Sequence, residues 1–227
     1  VTMRESIKGL VAKANDLVRA AVEGRLGERA DVSQFKGDYA TIMGGVNKII
    51  DSLVGHIDSI PSPAMIIDKD MNVQYLNRTG ADIYNTSQSQ AVGQKCYNLL
   101  KSGDCNTSKC ALTKAMNSGQ METSETDAHP GGKDLEILYN GVPVRDQKGD
   151  IIGALEVVTD QTAIKTAQKK AIKVNEYQSV EVEKLSSILG QMAGGDLTID
   201  YLTEKADTDT IEVGESFAGI ADGLQAT

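Results

Sequence analysis

The sequence predicts an α+β protein: a central five-stranded antiparallel sheet with helices on one face, carried between two helix–connector–helix modules. Three observations lead there. Apolar residues recur at helical spacing toward both ends of the 227-residue chain. Between them lie short runs of period-two alternation bounded by turn residues. The two ends also repeat one another without a gap when the sequence is shifted by 171 positions.

The first helix spans 5–23, where Ile7, Leu10, Ala14, Leu17, Val18 and Ala21 fall three and four apart. Gly24 breaks it, the polar stretch "RLGERADVSQFKGD" follows, and Ile42, Val46, Ile49, Leu53 and Ile57 mark a second helix. At the other end Val182, Leu185, Ile188, Leu189 and Met192 form a seam, "GGDLTIDYLTEKADTDT" interrupts it, and Val213, Phe217, Ile220 and Leu224 form the last. The shift lays Val11 on Val182, Leu17 on Ile188, Gly24 on Gly195, Leu26 on Leu197 and Ile49 on Ile220. Two short helices cannot bury such a seam alone. A connector of about a dozen residues can run back along the outside, so that both helices point the same way; two chains side by side then make a parallel four-helix bundle.

The middle begins with strand, turn, strand: Met65-Ile66-Ile67, the turn Asp68-Lys69-Asp70, then Val73 and Tyr75. Short helices follow in "RTGADIYN" and "SQSQAVG", and a helix in "SKCALTKAM". Three more strands lie in "METSETDA", "KDLEILYNGVPVRD" and "IIGALEVVTD", the last two joined by the turn "DQKGD". Two strands, a helical segment and three strands make an α+β domain.

Helix, "EGRL" or "GGDL", polar connector and helix resemble the HAMP module of bacterial and archaeal receptors. "GDYATIMGGVNKIIDSL" is most similar to HAMP repeats of methyl-accepting chemotaxis proteins. The resemblance implies that Gly24 with Leu26, and Gly195 with Leu197, shape the connectors, the leucine tucking into the bundle. The middle resembles a PAS domain along its whole length, through Asn77, Gly93 and "NGVPVRDQKGDIIGALEVVTDQT". That resemblance implies a relay at Asp160-Gln161-Thr162, where Asp160 and Thr162 cap a helix starting near Ala163 and tie it to the sheet. The domains expected are a HAMP module at 1–57, a PAS sensor at 58–163, and a linker helix with a second HAMP module at 164–227.

Net charge is −9 and the pI about 4.8, which argues against nucleic acid as a partner. The excess of acid sits at the end: residues 171–227 hold 3 basic and 11 acidic side chains, so like-charge repulsion is expected to loosen the second bundle. No run of about 20 apolar residues and no signal peptide are present. The chain reads as a cytoplasmic fragment, which leaves room for a membrane anchor elsewhere in the parent protein. Three cysteines suit a reducing compartment.

No catalytic motif appears: the sequence lacks G-x-x-x-x-G-K-[ST], H-E-x-x-H and G-x-S-x-G, and no enzyme activity is expected. His129 reads as a solvated loop residue and His56 as a helix residue. The c-type haem motif is absent, and neither histidine suits an axial ligand; no cofactor is the leading expectation, with metal and haem as the alternatives. All three cysteines, Cys96, Cys105 and Cys110, fall within fifteen positions. Their spacing lacks the C-x2-C knuckle of structural zinc. A redox pair of Cys105 and Cys110 has a mechanism, with Asn106 or Thr107 capping a helix and Cys110 in its first turns, where the dipole lowers a thiol pKa. The remaining reading is a buried Cys96 with two idle thiols. For a small ligand, Tyr75, Leu99, Met116, Ile137 and Tyr139 are the candidate lining, with Leu155 on the same inner face; the same residues also read as ordinary core.

The function expected is non-enzymatic signal transduction in a chemotaxis receptor. The chain would be a homodimer through parallel helices, with a downstream signalling domain in the same polypeptide. The alternatives are a metal- or redox-sensing module built on the three cysteines, or the sensory part of a histidine kinase.

Overall fold

The computed structural model describes residues 3–196, 198 and 200–225. The chain divides into two compact units, Val1–Gln161 and Thr162–Thr227.

The first unit holds the sheet. Strands β1 (Ala64–Asp68), β2 (Val73–Leu76), β3 (Glu122–Ala128), β4 (Leu135–Arg145) and β5 (Ile151–Asp160) are ordered β2-β1-β5-β4-β3, every pair antiparallel. The turns follow from aspartates. Asp68 Oδ1 accepts from the N–H groups of Asp70 and Asn72, both at 2.9 Å, and closes β1 onto β2. Asp146 does the same between β4 and β5, accepting from Lys148 and Asp150. Asx geometry of this kind supplies a turn without help from neighbours. Helices α3 (Arg78–Ile83), α4 (Gln88–Ala91), α5 (Cys96–Leu100) and α6 (Ala111–Ser118) connect β2 to β3. Ile67, Val73, Leu76, Leu100, Leu112, Ile137 and Tyr139 pack between helices and sheet as one core. Gly141 lies directly under the Ala111 carbonyl, where a side chain would push α6 off β4.

Ahead of the sheet, α1 (Met3–Val22) and α2 (Asp38–Asp58) pack through Leu17, Ala30 and Met43, with Leu10, Phe35, Val46 and Ile50 against them. Arg29 bonds Asp51 at 2.8 Å, and Ala30 exchanges two bonds with the Asn47 side chain, each 2.9 Å. The connector therefore meets α2 near its C-terminal half and runs back to its start. Because it leaves α1 at that same level, the two helices are parallel. The connector core is Ala30 and Phe35, whereas Leu26 is only half-buried beside Val54 and Tyr75 and stays outside the helical cluster. Gly24, at φ +79°, lies against the Ile66 side chain; both the left-handed backbone and the close approach call for glycine.

The second unit repeats the plan. Helix α7 (Thr162–Ala193) and α8 (Ile211–Gln225) are joined by a connector that bonds α7 at Glu181 through Tyr201 and Glu204, and at Lys173 through Asp207 and Asp209. It too runs back along the helix before α8 begins, so α8 parallels α7, and Gln225 ends near Asp200 and Tyr201. Gly195 has φ +90°. Leu197, the expected seat of this connector, lies outside the described residues. The acid excess is partly neutralised within the unit: Lys173 pairs with Asp207 and Asp209, and Lys184 with Glu181 and Glu204. Among the described residues no helix is long and apolar enough to cross a membrane.

Candidate functional site: a sulfur-lined cavity on β5

Strand β5 is the middle strand of the sheet, and Ala154, Glu156 and Val158 on it turn toward the helices. The sequence pattern put Leu155 on that face. A one-residue difference in facing moves every side chain across the sheet. Leu155 instead stands opposite Ile66 on β1 and Val142 on β4, on the other face. The residue brought inward is a carboxylate.

Glu156 is 2% exposed, and its Oε2 has no hydrogen-bond partner among the described residues. Burial pushes its pKa up to about 8, so the side chain is a neutral acid at pH 7. It borders a cavity of about 40 Å³ that also touches Met71, Cys96, Cys105, Cys110 and Tyr139. The cavity mouth is the 105–110 loop, where Asn106 is exposed and Cys105 and Cys110 are half-buried. The loop is fixed from inside. Asp104, 5% exposed, accepts from Tyr139 Oη at 3.0 Å and from Ser124 Oγ at 2.6 Å, while Tyr139 Oη accepts from the Ala111 N–H. Ser102 N–H donates to Cys105 Sγ at 3.3 Å. The Tyr84 hydroxyl is a second buried polar group without a partner among the described residues.

All three cysteines are free thiols. Burial raises the pKa of Cys96, and the charge of Glu156 adds to this. Burial also raises Cys105, against the opposing bonds from Ser102. A thiol needs its thiolate form to attack an oxidant or bind a metal, so these two are poor at either. Among the described residues no group of three His, Cys, Asp or Glu side chains is arranged to hold a metal ion. Cys110 does not lie within a helix as expected. It is the N-cap residue of α6, with no side-chain cap bond, and Thr107 instead accepts from the Lys109 N–H one turn earlier.

A second polar cluster joins α2 to the sheet. Asp58 Oδ1 accepts from Tyr75 Oη (2.8 Å), the Arg78 N–H (2.9 Å) and Gln88 Nε2 (2.8 Å). Asn77, fully buried, accepts from the N–H groups of Ala64 and Gly80 and donates to Ser62 O, each at 2.9 Å. One side chain thus caps α3 and fixes the entry to β1.

Residues 57–166 match a family model described as a PAS fold. This segment is a PAS domain. Over 137 residues the chain is 28% identical to the two-component sensor PprA of Pseudomonas aeruginosa, a match covering 59% of this chain and 14% of that protein. The chain thus spans about a seventh of that relative's length. Solved structures similar to it include a PAS domain from Colwellia psychrerythraea, with 22% identity, TM-score 0.45, and coverage of 51% of this chain and 98% of that one. Another is the PAS domain of nitrogen regulation protein NR(II) from Vibrio parahaemolyticus, with 17% identity, TM-score 0.40, and coverage of 47% and 95%.

Within the PAS domain, only Tyr139 of the expected ligand-lining residues borders the cavity. Leu99 and Ile137 are core, Met116 packs against that core, and Tyr75 turns away to Asp58. Cys96, Cys105 and Cys110 do converge, on the cavity rather than on a metal centre. Asp160 ends β5, and the Gln161 N–H donates to Glu136 O at 2.8 Å. Thr162 is the first residue of α7, one position earlier than the helix start expected near Ala163. His129 bonds Asp134 at 2.7 Å and Asp127 at 3.0 Å on the surface, and these carboxylates raise its pKa. Sequence reasoning missed Glu156 and Asp58. Glu156 left one legible trace, a lone charge in the middle of "IIGALEVVTD".

Proposed function

We propose that the chain is a non-enzymatic signal-transducing segment of a methyl-accepting chemotaxis receptor, with the PAS domain set between two HAMP modules. The observation that carries this is an apolar stripe left exposed on a parallel helix pair. Ile7, Val11 and Val18 on α1 and Ile42, Ile49 and Leu53 on α2 are between 43% and 62% exposed, at spacings of four and seven. Such a stripe fits the core of a parallel four-helix bundle completed by a second copy of the chain. Val182, Leu189, Ile211 and Ile220 supply a similar exposed set in the second unit.

In this reading the PAS domain senses or relays a signal. Asp58 couples α2 to β2, α3 and α4, and the Asp160–Thr162 stretch passes the change into α7. Two bundle packings a few kcal/mol apart suffice for switching. The segment works in the cytoplasm, in a parent protein that carries the output domain and an anchor to the membrane.

Light scattering on the 227-residue chain tests the assembly. A dimer is expected at micromolar concentration, and Ile49→Asp with Leu53→Asp weakens it at least about a hundredfold by placing charge in an apolar seam. A monomeric wild-type chain, or a double variant that dimerises unchanged, overturns the reading. The match to a protein named as a two-component sensor favours a second reading, the sensory part of a histidine kinase. Autophosphorylation of the full-length parent from labelled ATP decides for it.

A further inference from the structure

We propose that the sulfur-lined cavity of the PAS domain binds a small organic ammonium ion, whose charge is received by Glu156. The inference deepens the reading of the PAS domain as a sensing element. It starts from the free Oε2 of a fully buried carboxyl that borders an open space. Buried polar groups are almost always bonded, so an unpartnered one beside a cavity marks the place of a missing partner. The lining includes no Lys, Arg or His, while Met71, the three cysteines and the rings of Tyr97 and Tyr139 offer soft, polarisable surface. Such surroundings favour a cation with an organic shell. A space of about 40 Å³ admits only a few non-hydrogen atoms, the size of methylammonium. The half-buried Cys105 and Cys110 at the mouth leave a way in.

A neutral Glu156 dictates the proton balance. As the ammonium enters, Glu156 releases its proton to solvent, so one cation arrives, one proton leaves, and the buried charge stays zero. The titratable groups around it are Tyr84 just after α3, Cys96 on α5, Cys105 and Cys110 on the loop, and Tyr139 on β4 with Asp104 behind it. Burial raises the pKa of Tyr84, Cys96, Cys105 and Tyr139, so Glu156 is the group that ionises near neutrality. Affinity then rises about tenfold per pH unit below about 8 and levels off above it.

Calorimetric titration of the whole chain with methylammonium chloride, and separately with uncharged acetamide, tests this between pH 6 and 9. Expected are saturable binding of methylammonium, about a tenfold gain from pH 6 to 7, and release of one proton per ligand, read from buffers of different ionisation heat. Glu156→Gln, which keeps the shape, loses at least about tenfold in affinity and all of the pH dependence. Thr113→Leu fills the lining without touching Glu156 and produces the same loss in affinity, should Glu156→Gln fold poorly. No saturable methylammonium binding, equal binding of acetamide, or a Glu156→Gln protein that binds like wild type overturns the proposal. A dimer that binds no methylammonium removes this inference and leaves the signalling assembly standing; a monomer that binds it does the reverse.

Discussion

In the first helical segment the connector is held by Leu17, Ala30 and Met43 and by a side-chain amide, Asn47, bonded to both polar groups of Ala30. In the second the same task falls to a carboxylate. Glu181 is inaccessible to solvent, and it accepts from Tyr201 Oη at 2.8 Å, the Glu204 N–H at 2.8 Å and Lys184 Nζ at 3.2 Å. The repeat makes the exchange exact by position. Leu10 and Ala30 stand where the second copy has Glu181 and Tyr201, and Asn47 stands where it has Ala218. Met43 likewise stands where Gly214 lets Tyr177 approach. One parallel geometry is thus reached with a neutral anchor at one end of the chain and an ionised anchor at the other. Only the second anchor is itself a titrating group.

The largest expected break is Glu181→Ala. It strands the Tyr201 hydroxyl, the Glu204 N–H and one side of Lys184, and costs about 2–3 kcal/mol in the second segment. Hydrogen exchange reads each segment separately: α8 amides should exchange about thirty- to a hundred-and-fiftyfold faster while α2 amides stay unchanged. Equal protection of α8 in wild type and variant would show that Glu181 is not the anchor. Acid sharpens the same contrast. Burial pushes the Glu181 carboxyl up, but the Glu204 N–H, Tyr201 and Lys184 outweigh it and hold its pKa below the usual 4.5. A lowered folded-state pKa means that its stabilisation is complete above 4.5 and is lost as pH falls through the folded value. Between pH 7 and 3, α8 protection should therefore fall in wild type and fall less in Glu181→Gln. The Asn47 anchor carries no titrating group.

Asn47→Ala is the reciprocal break and the milder one. It leaves the Ala30 N–H and carbonyl without their side-chain partner, but the Leu17–Met43 cluster persists, so the cost is about 1–2 kcal/mol. Exchange should quicken in the 24–37 connector and α2, with α8 unmoved and no dependence on pH near 4.5. A difference between wild type and variant at α2 that changes with pH would count against the neutral anchor.

The contrast also explains what the sequence could and could not reveal. Helical spacing, the turn aspartates Asp68 and Asp146, and period-two strands are local patterns, and the five-stranded sheet and the four long helices followed from them. The parallel course of each helix pair was legible because the repeat set the connector length. The anchors were not, because Glu181, Asn47 and Asp58 look like surface residues of amphipathic helices until the connector or sheet folds over them. Glu156 was hidden for a related reason. Alternation fixes that Leu155 and Glu156 face opposite ways, but which of them faces the core depends on pairing with β1 and β4. A charge is ordinarily assigned outward. The cysteines drew notice by their spacing, yet their meeting at one cavity depends on α5 and the 101–110 loop closing over β5.

The smallest effect expected belongs to Lys173. Its ammonium meets Asp209 at 2.7 Å and Asp207 at 3.0 Å, and the two carboxylates raise its pKa. All three side chains remain between 36% and 52% exposed, so water and salt screen the attraction. Asp207 also caps the approach to α8 without Lys173, since its Oδ1 accepts from the N–H groups of Asp209 and Thr210. Lys173→Ala should therefore raise α8 exchange by less than about threefold at low ionic strength. At about 1 M salt, where the screening length shrinks to about 3 Å, the difference from wild type should vanish. An effect as large as that of Glu181→Ala, or one that survives high salt, would move the anchor of the second segment from the buried carboxylate to its surface ion pairs.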